Sequence, residues 1–204
     1  MTILELLFKG GWVMLPILLL SVLTVYAIIE RLITFGKGTR IQPAWLASIQ
    51  EQIDLGDMQG AALICEQNKG IIARVIKAGI DHLDQSPQKI EAAMETAGQV
   101  EVYQLEKNLS LLGTIAGTAP MLGFLGTVIG MIQAFMTMAQ ATSAVTPQLL
   151  SSGIYEAMIT TAAGLIIGIL ADLGYKYLLA RVQKTTFHIE NAASQFMSFA
   201  SKKP

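Results

Sequence analysis

The hydrophobic residues of this chain are gathered into long uncharged runs, and this pattern predicts helices that cross a membrane. Gly10 to Ile29 contains 20 residues without a charge, and a helix of that length spans the roughly 30 Å hydrocarbon layer at about 1.5 Å per residue. Asn108 to Ala171 contains 64 residues with one charge, that of Glu156, which is enough for two more spans and a short turn. The sequence therefore predicts an all-α, polytopic membrane protein with three transmembrane helices.

This pattern divides the chain into seven segments. We expect the transmembrane helices at residues 10–35, 108–139 and 148–178. An amphipathic piece at 1–9 precedes the first, a loop at 140–147 joins the second and third, and a helix at 179–204 continues the third. No strand pattern competes in the linker at 36–107, which we expect to form a helical domain.

Helix start and stop residues subdivide this linker. Pro43 suits the first position of a helix, Asp57 suits a cap, and Asn68-Lys69-Gly70 suits a helix end. Ser86-Pro87 is a cap followed by proline at the first helical position, and no breaker follows it before the membrane. We therefore expect one unbroken helix from Pro87 through the second span, at least to Met136.

The part of this helix that precedes the membrane has apolar residues at helical spacing. They are Ile90, Ala93, Met94, Ala97 and Val100. Such a stripe is expected to pack on neighbouring helices.

The first apolar run also has features of a secretory signal, because Lys9 precedes it and Val25-Tyr26-Ala27 is similar to a cleavage site. Its apolar part, some 18 residues from Trp12, is longer than the roughly 7 to 15 residues of a signal core. Glu30-Arg31 then follows as a membrane stop. We expect the segment to remain in the mature protein.

Basic residues near the span ends predict the orientation. The linker carries Arg31, Lys37, Arg40 and Lys107, and the tail after the third span carries Lys176, Arg181 and Lys184. Lys9 alone lies on the opposite side. The amino terminus is therefore expected outside the cell membrane, and the linker and carboxyl terminus in the cytoplasm.

Charge and composition exclude several classes of function. The 14 Lys and Arg nearly balance the 15 Asp and Glu, giving a net charge of −1, so no general field gathers nucleic-acid phosphates. The single cysteine, Cys65, excludes an intrachain disulfide, and neither His82 nor His188 has a partner at metal-ligand spacing. No nucleotide loop, zinc-protease motif or serine elbow is present. We expect no enzyme, cofactor or metal site.

Small residues distinguish the second and third spans from the first, which is rich in Leu, Ile and Val. Three pairs of glycines stand four residues apart: Gly113 and Gly117, Gly126 and Gly130, and Gly164 and Gly168. Pro120 and Gly123 lie between the first two pairs. Small residues let helix backbones approach closely in lipid. We infer that several copies assemble around an axis, and packing within one chain remains the alternative.

Pro120 deprives the Ala116 carbonyl of its usual hydrogen-bond donor. A kink or a wet pocket is expected there, and the hydroxyls of Thr114 and Thr118 are expected to bond back along the helix.

Glu156 is the residue of the spans most indicative of function. Placing an ionised carboxylate near the middle of a bilayer costs about 2.5 to 3.5 kcal/mol on insertion scales, so this side chain should face other helices or bind a proton. Thr160 lies one turn away on nearly the same face, and Thr161 is next to it. Intramembrane carboxylates usually mark ion or proton paths, whereas a structural hydrogen bond to another helix is the alternative.

Two stretches identify a family resemblance. Thr118 to Ile132 reads TAPMLGFLGTVIGMI, and Ile154 to Leu165 reads IYEAMITTAAGL. Together they resemble the MotA/TolQ/ExbB proton-channel family, nearest its ExbB branch. Thr127 and Thr161 match the pore-lining threonines of this family, and Glu156 matches its span-three glutamate.

The resemblance implies a multi-pass protein of the bacterial inner membrane, with a periplasmic amino terminus and periplasmic segments at 1–9 and 140–147. It implies a homopentamer that encloses the membrane helices of an ExbD-like single-span partner and drives a TonB-like protein. The function implied is conversion of proton motive force into work for outer-membrane transport. The alternatives are a TolQ-like or motility-type motor, although a flagellar MotA would need a fourth span, and a non-conducting membrane scaffold.

Overall fold

The secondary structure in the described part of the chain consists of helices, whose ends the sequence largely explains. The computed structural model describes residues 11–35, 43–68, 70–140 and 147–200. The expected amphipathic segment at 1–9 and loop residues 141–146 lie outside this part. In chain order the helices are α1 (Met14–Phe35), α2 (Pro43–Asp54), α3 (Met58–Gln67), α4 (Ile71–Ile80), α5 (Pro87–Glu106), α6 (Leu109–Gln140) and α7 (Pro147–Ala200).

Among the described residues, three helical stretches are long and apolar enough to cross a membrane. They are Met14–Phe35, Pro87–Gln140 and Gly153–Ala200. The second contains both α5 and α6, of which α6 is by far the more apolar. These three long apolar helices are consistent with the predicted class of membrane protein. The third continues as helix to Ala200.

The helix starts in the linker also agree with the sequence. Helix α2 begins at Pro43, and α5 begins at Pro87 with Ser86 as its cap residue. The Asp57 carboxylate accepts a hydrogen bond from the Gly60 N–H at 2.8 Å and so caps α3. Helix α3 ends at Gln67, just before the expected stop.

The prediction of one unbroken helix from Pro87 to Met136 is wrong. Helix α5 ends at Glu106 and α6 begins at Leu109. Between them Asn108 has a positive φ of 64°, a left-handed conformation that asparagine tolerates better than most residues and that ends a helix. The Asn108 amide nitrogen also donates to the Glu30 carboxylate at 3.1 Å.

Arg31 completes the end of α5. Its side chain is buried, and its guanidinium donates to the carbonyl oxygens of Gln104 at 3.0 Å and Leu105 at 3.3 Å. The last carbonyls of a helix lack partners within it and carry partial negative charge, so a cation there is favourable. Glu30 and Arg31, which the sequence predicts to be a membrane stop, therefore both bond to residues flanking this break.

The chain divides into two units. The span unit comprises the described residues of Met1–Glu30 and Asn108–Tyr177, and the linker unit those of Arg31–Lys107 and Leu178–Pro204.

Helices α1, α6 and α7 alternate in direction within the span unit. A Cβ on Gly113 would lie 3.5 Å from the Tyr175 ring, and one on Gly130 would lie 3.0 Å from the Ala157 Cβ. Helix α6 is therefore antiparallel to α7. A Cβ on Gly174 would meet Ile28 at 2.7 Å, so the later part of α1 lies beside the segment of α7 around Gly174. The core joins residues of all three helices: Val13, Met14, Ile17, Ile115, Ala119, Ile167 and Ala171.

The core of the linker unit is built around α4. Nearly all of its apolar side chains are buried, including Ile72, Val75 and Ile76. A Cβ on Gly79 would meet the Met94 sulfur at 2.6 Å and the Phe196 ring at 2.8 Å, so α4 packs against α5 and the end of α7.

The buried face of α5 differs from the expected stripe. Ile90 and Met94 are buried, whereas Val100 is 51% exposed. The buried face instead continues through Gly98, Glu101 and Leu105. The carboxylate of Glu101 therefore lies on the core side of the helix.

Arg74 of α4 compensates this buried charge. Its Nε and one terminal nitrogen each contact a different oxygen of the Glu101 carboxylate at 2.5 Å. This hydrogen bond raises the pKa of Arg74. A bidentate pair of this kind fixes both the distance and the orientation of the two helices.

We expect Glu101→Gln to destabilise the linker unit by about 1.5 to 3 kcal/mol, the usual contribution of hydrogen bonds to charged groups. Half exposure of the Arg74 side chain, 49%, favours the lower part of that range because water screens the charge. Hydrogen exchange of the α4 and α5 amides measures the loss. Glu66→Gln is the control, because Glu66 pairs with Lys77 on the exposed surface and its loss should not change exchange; equal effects would contradict the prediction.

Cys65 is a buried residue of α3. Burial raises the pKa of its thiol from 9.0 to about 12. The folded protein therefore holds the thiol proton at pH values where the unfolded chain releases it, so this group stabilises the fold below about pH 9 and loses that contribution as the pH rises toward 12.

We expect iodoacetamide at pH 9 to modify Cys65 slowly in the folded protein and rapidly after denaturation, because the thiolate is the reactive form. Mass spectrometry of timed samples measures the two rates. Cys65→Ala should also reduce the decrease in the free energy of unfolding between pH 8 and 10. A native rate equal to the denatured rate would show that the thiol is accessible and ionised.

Candidate functional site

The contact between α6 and α7 is made largely by glycines. A Cβ on Gly164 would lie 2.5 Å from the Ala119 carbonyl oxygen and 2.9 Å from the Gly123 Cα. A Cβ on Gly123 would lie 3.0 Å from the Thr160 carbonyl oxygen, and one on Gly130 would lie 3.0 Å from the Gly153 carbonyl oxygen. At these points the backbones themselves touch, which only glycine permits.

Gly126 and Gly168 accommodate side chains of the facing helix. A Cβ on Gly126 would meet the Thr160 Cβ at 2.7 Å. One on Gly168 would meet the Pro120 ring at 2.5 Å. The small-residue pattern therefore serves packing within one chain, the alternative that the sequence left open, at these positions.

Gly117 differs from the other glycines of α6. No atom of the described residues lies within 4 Å of the position where its Cβ would be, apart from its own helix backbone and chain neighbours. The neighbouring Thr114 and Thr118 are also exposed, and their hydroxyls donate to the carbonyls of Ser110 and Thr114 at 2.9 Å. These hydrogen bonds agree with the sequence prediction for Thr114 and Thr118. At Pro120, where a kink or a wet pocket is expected, α6 continues as helix.

Thr127 and Thr161 meet across the α6–α7 contact. Their hydroxyl oxygens are hydrogen-bonded to each other. The Thr161 hydroxyl also lies 2.9 Å from the Gly123 carbonyl oxygen, and the Thr127 hydroxyl lies 3.3 Å from the same oxygen and 3.4 Å from that of Ala157. The structure thus brings together the two threonines that the sequence singles out, in a small polar cluster between apolar helices.

Thr160 faces α6 and is buried, with 1% of its surface exposed. Its hydroxyl lies 2.8 Å from the Ala157 carbonyl oxygen and 3.3 Å from that of Glu156. Its hydrogen bonds therefore return to its own helix. The side chain fills the space beside Gly126, and Thr160 is the neighbour of Thr161 along the chain.

Glu156 is half-buried and lies against the first described turn of the chain. A Cβ on Gly11 would overlap one carboxylate oxygen of Glu156 and lie 3.0 Å from its carboxyl carbon. Gly11 also has a positive φ of 63°. The carboxylate therefore occupies the space that any side chain at position 11 would fill.

The contact with Gly11 places Glu156 near one end of the spans instead of the middle. Gly11 precedes Glu30 by 19 residues, about 28 Å at 1.5 Å per residue, which is close to the whole hydrocarbon layer. Thr161 lies five residues further along α7, about 7 Å deeper. The polar groups thus form a line from a carboxylate near one surface to hydroxyls farther inside.

Asp172 and Lys176 form an ion pair on α7. The lysine nitrogen lies 2.8 Å from the aspartate oxygen, and the two side chains are 69% and 42% exposed, respectively. This acid therefore lies apart from the polar line, near the other end of the spans.

Sequence reasoning did not find Gly11 as a neighbour of Glu156, because the two residues are 145 positions apart and the contact depends on the pairing of α1 with α7. A local signal existed, since Gly10-Gly11 just before the first apolar run is typical of a turn.

Known proteins share this sequence pattern over most of the chain. A sequence model of the MotA/TolQ/ExbB proton channel family matches residues 67–191. The chain is 35% identical to the ExbB-like 1 protein of Synechocystis sp. over 84% of its own length and 68% of that protein. It is 30% identical to the biopolymer transport protein exbB1 of Vibrio cholerae over 86% of its own length and 78% of that protein.

A relative from another branch is also similar. The Tol-Pal system protein TolQ of Pseudomonas aeruginosa is 28% identical over 94% of this chain and 87% of that protein. The family match covers the α6–α7 contact with its threonines and Glu156, and it covers more than half of the chain. The chain therefore belongs to the MotA/TolQ/ExbB proton channel family.

Proposed function

We propose that this chain is an ExbB-like subunit of an inner-membrane proton channel that converts proton motive force into mechanical work. Its partner would be a single-span, ExbD-like protein whose acidic residue binds and releases protons. The work would pass through a TonB-like protein to outer-membrane transporters.

The observation that carries this proposal is the line of polar groups in otherwise apolar spans. Glu156 lies near one end, and the Thr127–Thr161 pair lies deeper on the same helix contact. Carboxylates and hydroxyls accept and donate protons or hold water that does so. A unit charge crossing 100 mV releases about 2.3 kcal/mol, so a few protons are enough to move a helix between neighbouring positions.

Orientation and location follow from the basic residues. With the linker and carboxyl terminus in the cytoplasm, the end that carries Glu156 faces the periplasm. Protons moving inward down the gradient would then reach Glu156 before Thr127 and Thr161, in the order that an entry site requires.

We propose that several copies, five by resemblance to the family, form a ring around the partner helices. Support comes from α6, where Thr114, Gly117 and Thr118 are exposed on a span. Close contact with another protein helix satisfies such a small, weakly polar surface better than lipid does. The faces of α1 and α6 with large exposed apolar residues, such as Leu15, Leu19 and Phe124, suit lipid or neighbouring subunits.

A TolQ-like role is the second candidate, because the similarity to the TolQ of Pseudomonas aeruginosa extends over 94% of the chain. The two roles use the same channel chemistry and differ in the partner. Co-purification identifies which protein the chain retains, an ExbD-like or a TolR-like one.

Reconstitution tests the proposed function. The chain is placed in vesicles alone and together with its co-purified single-span partner, and inward proton flux is followed with a pH-sensitive dye under an imposed gradient. Flux that requires both proteins is expected. A ring of stable mass that holds no partner helix and passes no protons would instead support a scaffold.

A further inference from the structure

We propose that Gly11 is a positioning residue for the Glu156 carboxylate and thereby sets the distance from this proton entry site to the next proton carrier. This inference rests on the proposed function and adds to it a residue from outside the family motif. It starts from the contact between the two residues in the span unit.

Two independent features require glycine at position 11. Its φ of 63° lies in the left-handed region, which residues with a side chain rarely adopt. In addition, the space of a Cβ is already taken by one oxygen of the Glu156 carboxylate, with the carboxyl carbon 3.0 Å away. The second feature alone concerns the function of Glu156.

The contact holds the carboxylate against the turn that opens α1. Here the N–H groups of Met14 and Leu15 donate to the carbonyl oxygens of Gly11 and Trp12 at 3.2 Å, so the turn is ordered by its own hydrogen bonds. Glutamate has three side-chain torsions, and a fixed surface on one side limits the positions that its carboxylate can take. The turn before α1 thus places a group carried by α7, 145 residues later.

This contact keeps the distance between the Glu156 carboxylate and the hydroxyls of Thr127 and Thr161 constant, which matters for proton transfer. A methyl group at position 11 would push the carboxylate away from the turn and alter its distance to the next proton carrier. Misplacing a reacting group by about 1 Å typically lowers a rate up to a hundredfold.

A matched control separates the two features of Gly11. Gly56 also has a positive φ, 78°, but in the described part of the chain nothing lies within 4 Å of the position of its Cβ. Gly56→Ala therefore introduces similar backbone strain in the linker unit without displacing any side chain. Gly11→Ala introduces both the strain and the displacement.

The test measures proton flux and its pH profile in vesicles containing the chain and its partner. We expect Gly11→Ala to lower flux roughly ten- to hundredfold and to move the pH profile, and we expect Gly56→Ala to leave both unchanged. Glu156→Asp in the Gly11→Ala background should restore part of the flux, because the shorter side chain leaves room for the methyl group.

Infrared spectroscopy tests the contact apart from the flux. The carboxyl band of Glu156, identified by its loss in Glu156→Gln, should shift in Gly11→Ala and stay in place in Gly56→Ala. An unshifted band, or a loss of flux in Gly11→Ala that Glu156→Asp does not relieve, would overturn the positioning role. If Gly11→Ala does not assemble, Glu156→Asp alone decides, since an unchanged pH profile and band position would overturn the role as well.

The same data distinguish failure of the proposed function from failure of the Gly11–Glu156 contact. A band that shifts in Gly11→Ala, together with normal flux in Glu156→Gln, would leave the contact standing and remove Glu156 from the proton path.

Discussion

Proton flux into vesicles is expected to fall to the level of protein-free vesicles when Glu156 is replaced by glutamine. Glutamine keeps the size of the side chain and its place beside Gly11, but it cannot exchange a proton. The loss should therefore come without a change in helix content or in partner binding, which circular dichroism and co-purification measure.

Another acid of the same helix provides the control. Asp172 pairs with Lys176 on the exposed surface of α7, so Asp172→Asn should leave flux near its original value. Equal flux in Glu156→Gln and in the unmodified protein would remove the carboxylate from the mechanism.

Thr161→Val extends this test to the deeper polar cluster. Valine has nearly the shape of threonine but no hydroxyl, so the Thr127 hydroxyl loses one of its neighbours and keeps the Gly123 carbonyl at 3.3 Å. We expect a partial loss of flux, roughly tenfold, as befits one hydrogen-bonding group among several. Full flux in this variant would assign the threonine pair to helix packing alone.

The second large effect is expected for the contact between α6 and α7. Gly164→Ala should lower the stability of the span unit by about 3 kcal/mol, the upper part of the usual range for overpacking. The added methyl group would meet the Ala119 carbonyl oxygen at 2.5 Å and the Gly123 Cα at 2.9 Å. Both are backbone atoms, which cannot turn aside as a side chain can.

Gly117→Ala is the matched control for this prediction. It lies on the same pair of helices but has open space at the Cβ position. In a helix, alanine is favoured over glycine by about 0.5 to 1 kcal/mol, so this variant should be slightly more stable in the detergent-separated monomer, where no neighbouring subunit covers position 117. Unfolding in mixed micelles, followed by circular dichroism, compares the two. Equal stability of both variants would show that α6 and α7 separate more easily than the close contacts imply.

The pattern of uncharged runs is enough to predict the three spans, because membrane helices are governed by length and hydrophobicity, both of which are local. Caps and prolines likewise predict the helix starts at Pro43 and Pro87. The same reasoning failed at Asn108, where a helix ends without glycine or proline. Asparagine in the left-handed region, held by Glu30, is a weak signal that a long helical pattern conceals.

The candidate site shows the same division. Thr127, Thr161 and Glu156 are visible in the sequence because polar residues are rare in such spans. The position of Glu156 near one end of the spans is not visible, since it follows from the contact with Gly11 and so depends on the pairing of α1 with α7. Glu101 was missed for a related reason. Its position three residues after Gly98 continues the buried face, but a charged residue is normally assigned to solvent until its partner Arg74 is known.

The backbone contacts between α6 and α7 restrict how these two helices can move. A slip of one residue between these helices would bring the Cβ of Leu122, Phe124, Ala163 or Leu165 to where Gly123 and Gly164 now meet. Helices α6 and α7 therefore cannot slide along each other. Under the proposed function, any movement driven by proton entry must be made by other helices that turn or shift against this pair.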